Sequence, residues 1–141
     1  MLDHIYKENW KNLTVLTGTA EHIPEAVLGL LPEDKATFDA AYWKIDNYSV
    51  VQGDLFTSAE VLPKNLYEFV LKSKYKEGVI DLIWQIGSGY SEDNELRKRC
   101  YAEAVRAFEM LLAHPEIEST KYFELIQKEL NDIRELAADW K

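Results

Sequence analysis

Apolar residues recur at intervals of three and four along most of the chain, the period of one face of an α-helix. Leu2, Ile5, Tyr6, Trp10, Leu13 and Leu16 form the first stripe. Gly18 follows as an expected C-cap, because glycine supplies the left-handed residue on which many helices end. A second helix is predicted from about Glu21 to Leu31, with Pro24 in the first turn, where its missing N–H costs little. Pro32, Glu33 and Asp34 punctuate it. A third helix, from Asp34 to about Asn47, is expected to bury Phe38, Ala41, Trp43 and Ile45.

Gly53 and Asp54 mark a break, and Thr57 or Ser58 is placed to cap the next helix. That fourth helix carries Val61, Leu62, Leu66, Phe69 and Val70, with Pro63 either kinking it or standing near its start. A fifth helix after Lys76 holds Val79, Ile80, Leu82, Ile83 and Ile86, and Gly87-Ser88-Gly89 terminates it. The sixth begins near Ser91–Glu95 and runs through Leu96, Cys100, Ala104 and Phe108 to His114-Pro115. The seventh starts near Ser119 and uses Tyr122, Ile126, Leu130 and Ile133. Tyr48–Val51 is the one strand-like fragment, too short to build a sheet. The expected fold is all-α, one domain over residues 1–141, with about seven helices.

The stripes repeat. Pro24 and Pro63 are 63 − 24 = 39 residues apart, and at this offset Val27 meets Leu66, Leu30 meets Phe69 and Leu31 meets Val70. Ala40 likewise meets Val79, Ala41 meets Ile80, Trp43 meets Leu82 and Ile45 meets Trp84. A two-helix period near 40 is the mark of HEAT and armadillo-type arrays, whose units bury their apolar faces only by stacking on neighbours. The pattern therefore predicts a short α-solenoid of antiparallel helix pairs.

The run from Ile23 to Leu31, then Glu33-Asp34 and Ala40-Ala41-Tyr42-Trp43-Lys44-Ile45, resembles a HEAT repeat. The segment from Gln52 to Pro63 is similar to one found in small bacterial HEAT-like proteins, some of them immunity proteins paired with secreted toxins. The likeness covers about residues 10 to 90, and the last 50 residues only as generic helix. It implies a HEAT-like fold and a protein partner. The aspartate and arginine ladder of long HEAT arrays is incomplete here, which argues against an extended scaffold.

Charge narrows the function classes. A net charge of −9 repels phosphate backbones, so direct nucleic-acid binding is not expected, and it speeds association with basic proteins instead. Asp93/Arg97, Glu95/Arg99 and Arg99/Glu103 at i,i+4 spacing answer the basic run Arg97-Lys98-Arg99, which reads as a solvated face. One cysteine excludes an internal disulfide framework and suits a reducing compartment. The N-terminus lacks the pattern of a signal peptide and no apolar run approaches membrane-spanning length, so a cytoplasmic location and no membrane partner are expected.

Catalytic and metal-binding patterns are missing from the sequence. His4, His22 and His114 stand in separate segments, and no H-E-x-x-H, C-x-x-C, G-x-S-x-G or phosphate-loop motif occurs. No cofactor, metal or enzymatic activity is expected. The acidic loop residues are different. Asp54 and Asp93 are 93 − 54 = 39 residues apart, one repeat, and successive turns of a solenoid line one edge. Tyr48, Asp54, Tyr90, Glu92 and Asp93 are the expected partner contacts, combining acids with tyrosines of the type enriched at interface anchors. These expectations describe an immunity protein that covers the basic cleft of a nuclease toxin. The alternative is a HEAT-like adaptor or regulatory subunit.

Overall fold

The computed structural model describes residues 3–51 and 53–139, and it is mostly helical. Its helices are α1 (Ile23–Leu28), α2 (Lys35–Ser49), α3 (Thr57–Lys72), α4 (Lys76–Ser88), α5 (Asn94–Leu112), α6 (Pro115–Glu118) and α7 (Lys121–Ala138). Asp34 caps α2 by accepting from the Thr37 amide, Asp93 caps α5 through the Glu95 and Leu96 amides, and Thr120 caps α7 through the Tyr122 amide. Neither Thr57 nor Ser58 caps α3, whose N-cap is Phe56. Pro63 lies well inside α3 and is buried there.

Helices α3, α4 and α5 pack on one another, and α7 closes against α4 and α5. At the other end α1 pairs with α2, which touches α3 and α4. Phe69, Phe108, Ile5, Ile23, Leu30, Leu62, Ile80 and Leu82 are among the fully buried side chains of a continuous core. Close approach needs small residues. A Cβ on Gly29 would come within 2.8 Å of the Ala41 Cβ, which is why α1 and α2 pack tightly.

The N-terminal helix is replaced by 3₁₀ turns at Asp3–Lys7, Trp10–Asn12 and Ala20–His22. Thr14 pairs with Thr19 across a turn, and Gly18, at φ +82°, serves that turn rather than a helix end. Tertiary bonds outcompete the helix here: Ser58 N donates to Thr14 O, Leu16 N donates to Tyr48 O, and the Thr14 and Thr57 hydroxyls lie 2.9 Å apart. The strand-like fragment does pair. β1 (Val50–Val51) and β2 (Asp54–Leu55) form a small hairpin turned at Gly53, whose φ is +88°.

Burial also separates the two halves of the repeat. In the first helices the 39-residue register holds, since Val27 and Leu66, and Leu30 and Phe69, are all fully buried. In the second helices it does not. Trp43 is 53% exposed and Ala40 is exposed, against fully buried Leu82 and Val79. Helices α2 and α4 start 76 − 35 = 41 residues apart, and at that offset Phe38, Ala41 and Ile45 match the buried Val79, Leu82 and Ile86.

Candidate partner-binding face

Helices α2, α4 and α7 bring carboxylates from distant parts of the chain together. Tyr42 Oη donates to Asp81 Oδ2 at 2.5 Å, and Gln85 Nε2 donates to the same oxygen at 2.7 Å and to Tyr42 Oη at 2.8 Å. Asp46 stands beside this group. Burial lifts its carboxyl above the ordinary carboxylate range, the Gln85 amide offsets part of the rise, and the Asp81 charge adds to it. On α7, burial likewise raises Glu129, with Lys128 opposing and Asp132 and Asp81 reinforcing. Trp84 joins the helices by donating its indole N–H to Asp132 at 2.9 Å.

Among the described residues, no lysine or arginine lies at ion-pair distance from Asp46, Asp81 or Asp132, and Lys128 reaches only to 4.0 Å from Glu129. Burial and the negative charges of Asp81 and Asp46 push the Tyr42 phenol up as well. Among the described residues, Lys128 therefore answers Glu129 alone, and Asp46, Asp81 and Asp132 keep their negative field. Trp43 lies edge-on to Tyr42, ring centroids 5.1 Å apart, and 53% of it is open to solvent. Trp43 and Trp84 are 84 − 43 = 41 residues apart, the same spacing as the helix starts. An incoming arginine would find carboxylate acceptors without a competing cation, and indole faces on which a guanidinium stacks.

The residues expected at one edge are partly brought together. Tyr90 N donates to Gly53 O, and Leu55 N donates to Tyr90 O, which sets Tyr90 beside Asp54 as a parallel bridge. Both are exposed, and the Arg97 guanidinium carbon sits 5.4 Å from the centre of the Tyr90 ring. Glu92 is exposed in the same connection, while Asp93 is committed to capping α5. Tyr48 lies elsewhere, its ring edge-on to His22 at 4.8 Å in a cleft of about 730 Å³ between α1 and α2 that contains none of the other four.

In the basic run that follows, Arg99 is answered from another helix rather than by the expected Glu95 and Glu103. Arg99 crosses to Glu60 on α3 at 2.8 Å, and Lys98 approaches Glu95 at 3.8 Å.

His4 lies near Glu68, His22 on Tyr48, and His114 caps α6 through Nδ1, so the three stay apart. The Cys100 thiol is buried, and burial pushes it up to about 12, far from a reactive thiolate. Among the described residues no group of three or more histidine, cysteine or carboxylate side chains is placed to hold a metal ion. No helix among them is long and apolar enough to cross a membrane.

The carboxylate face was missed because its members sit on three helices whose rotation about their axes the sequence does not specify. Two signals pointed to it: Tyr42 and Asp81 at the 39-residue offset, and Trp43 and Trp84 at 41. Compared with family models, curated proteins and solved structures, the chain matches none.

Proposed function

We propose that this chain is a non-catalytic protein-binding module, and that it acts as an immunity protein covering the basic cleft of a nuclease toxin domain. The observation that carries the reading is the set of carboxylates Asp46, Asp81 and Asp132, unpaired by any described lysine or arginine and flanked by Trp43 and Trp84. A surface of this kind mimics a run of phosphates. Long-range attraction raises the association rate, and the indoles slow release. The helix pairs α1/α2 and α3/α4, with second helices starting 41 residues apart, support a short HEAT-like solenoid as the frame.

The test is coexpression with the product of the gene immediately upstream of this one, assayed for nuclease toxicity, followed by association kinetics of the purified pair. Neutralising the face with Asp46→Asn, Asp81→Asn and Asp132→Asn together is expected to slow association about tenfold or more and to flatten its salt dependence. Asp54→Asn with Glu92→Gln examines the Asp54–Tyr90 edge in the same assay. A neighbouring protein without toxicity, or an association rate indifferent to all five charges, would defeat the proposal.

The adaptor reading draws on a different feature, the cleft between α1 and α2 with its Ala26, Gly29, Ala40 and Ala41 floor. It predicts partner binding that is insensitive to salt and abolished by Ala40→Glu.

A further inference from the structure

A second cleft, of about 440 Å³, opens between the N-terminal end of α2, the start of α4 and Tyr122 on α7. It shares Tyr42 with the acidic face but none of its carboxylates Asp46, Asp81, Glu129 and Asp132. Its walls are aromatic: Phe38, Tyr42, Tyr75 and Tyr122. Tyr75 is held firmly, its hydroxyl donating to Glu33 O at 2.6 Å and its ring packed against Phe38 with centroids 5.0 Å apart. The size falls within the range of small-molecule sites, which combine apolar walls with a few placed polar groups.

The charges in this wall run against those of the chain. Lys35, Lys74 and Lys76 outnumber Asp39 and Glu77 in a protein whose net charge is −9. Two of the lysines are committed. Lys76 Nζ donates to the carbonyls of Val70, Leu71 and Ser73 at 2.9, 2.6 and 3.1 Å, closing the C-terminal end of α3. Lys35 pairs with Asp39 at 2.6 Å. Lys74 has no carboxylate partner among the described residues, yet its ammonium lies 5.8 Å from the centre of the Tyr75 ring, where the Lys35 ammonium lies at 5.7 Å. Two ammonium groups thus lie near one ring, and three lysines against Asp39 and Glu77 leave the wall with one positive charge in excess.

We propose that this cleft binds a small ligand that joins a flat aromatic ring to an anionic group. The ring lies among Tyr42, Tyr75 and Tyr122, and the anion sits on Lys74 with Lys35 as its second contact. Ring stacking supplies most of the contact area, and the charge-assisted hydrogen bond to Lys74 fixes orientation. A nucleoside phosphate and an aromatic carboxylate both carry this chemistry.

Calorimetric titration of the full chain with adenosine monophosphate and with indole-3-acetate separates these two sources, with adenosine and inorganic phosphate as the half-ligands. One of the two whole ligands is expected to bind with a submillimolar Kd, and both halves more weakly. Lys74→Gln, at an exposed side chain, and Tyr122→Ala, at a half-buried one, are each expected to weaken that ligand about tenfold, the effect of about 1.4 kcal/mol. Circular dichroism checks that both variants keep the wild-type helix content. The proposal is overturned if neither whole ligand binds, if inorganic phosphate binds as tightly as adenosine monophosphate, or if binding survives both substitutions. No partner protein is present in these titrations, so their outcome leaves the reading of the acidic face untouched.

Discussion

Tyr42 and Asp81 stand 39 residues apart in the chain and 2.5 Å apart in space, the phenol on α2 donating to the carboxylate on α4. Gln85 donates to both, which closes the three side chains into one hydrogen-bonded group. Tyr42→Phe keeps the ring and removes the donor. It is expected to cost about 0.5–1.5 kcal/mol, the net worth of one hydrogen bond with the other partners still solvated. The readout is a lower urea midpoint with an unchanged slope. A midpoint equal to wild type would show that the α2–α4 contact does not depend on this bond.

Asp46 sets the pH response of the same group. Its carboxyl is raised in the folded state, chiefly by burial and further by Asp81, so the folded protein holds this proton to higher pH than the unfolded chain does. The stability it contributes is therefore fully present below the unfolded pKa and is lost as pH rises through the folded one. At pH 7 the ionised group is a small net cost, small because the carboxylate is only partly withdrawn from solvent. Asp46→Asn is expected to raise the melting temperature at pH 7 by roughly 1–3 °C, with the gain shrinking toward pH 4. A gain that persists unchanged in acid would contradict this origin.

Ser49 and Ser58 tie the end of α2 to the start of α3. Both are fully buried, and their hydroxyls lie 2.7 Å apart. Ser49→Ala alone strands the Ser58 hydroxyl in the interior and is expected to cost about 1–3 kcal/mol. The double change to alanine removes both polar groups, so its cost is expected to fall well below the sum of the single costs. Additive losses in this cycle would mean that the hydroxyls act independently.

Asp93 belongs to the edge predicted to bind, yet its carboxylate accepts from the Glu95 and Leu96 amides and closes the first turn of α5. Asp93→Ala is expected to cost about 1 kcal/mol through the lost cap. Asp93→Asn keeps an acceptor and removes the charge. A partner-binding defect shared by both variants reports the charge, whereas one confined to alanine reports the cap.

These contrasts show which parts of the molecule were legible in the chain. Helices α2 to α5 and α7 each bury a regular stripe in one core, so periodicity alone placed them within a few residues. The N-terminal stretch carries the same three-and-four spacing, but from Asp3 onward it folds as 3₁₀ turns and connecting segments. Their backbone is bonded to Tyr48 and Ser58, and no local pattern announces such distant partners. Trp43 misled for a related reason. Its apolar bulk reads as core, and only the rotation of α2 against α4 puts it in solvent. The Asp54–Tyr90 pairing was within reach because Asp54 and Asp93 flank helix breaks 39 residues apart and Tyr90 lies beside Asp93. The α2/α4/α7 carboxylates required knowing which face of each helix turns outward.

Gly87 tests the far end of the stack. It is buried in the last turn of α4, and a Cβ built there would lie 2.8 Å from Ile133 Cδ1 on α7 and 2.9 Å from Ala104 Cβ on α5. Ile133 Cδ1 ends a side chain and has some freedom to turn away, but Ala104 Cβ moves only with its backbone. Gly87→Ala therefore gains helix propensity while forcing α5 away from α4, and in a close-packed core the second effect is the larger. The expected net loss is about 1–3 kcal/mol, the usual cost of overpacking. The companion change Ala104→Gly opens the space and is expected to recover part of that loss in the double variant, less the propensity cost of a glycine inside α5. Thermal melts of the three proteins decide the matter. A Gly87→Ala protein more stable than wild type would mean that α4, α5 and α7 meet less tightly than this geometry requires.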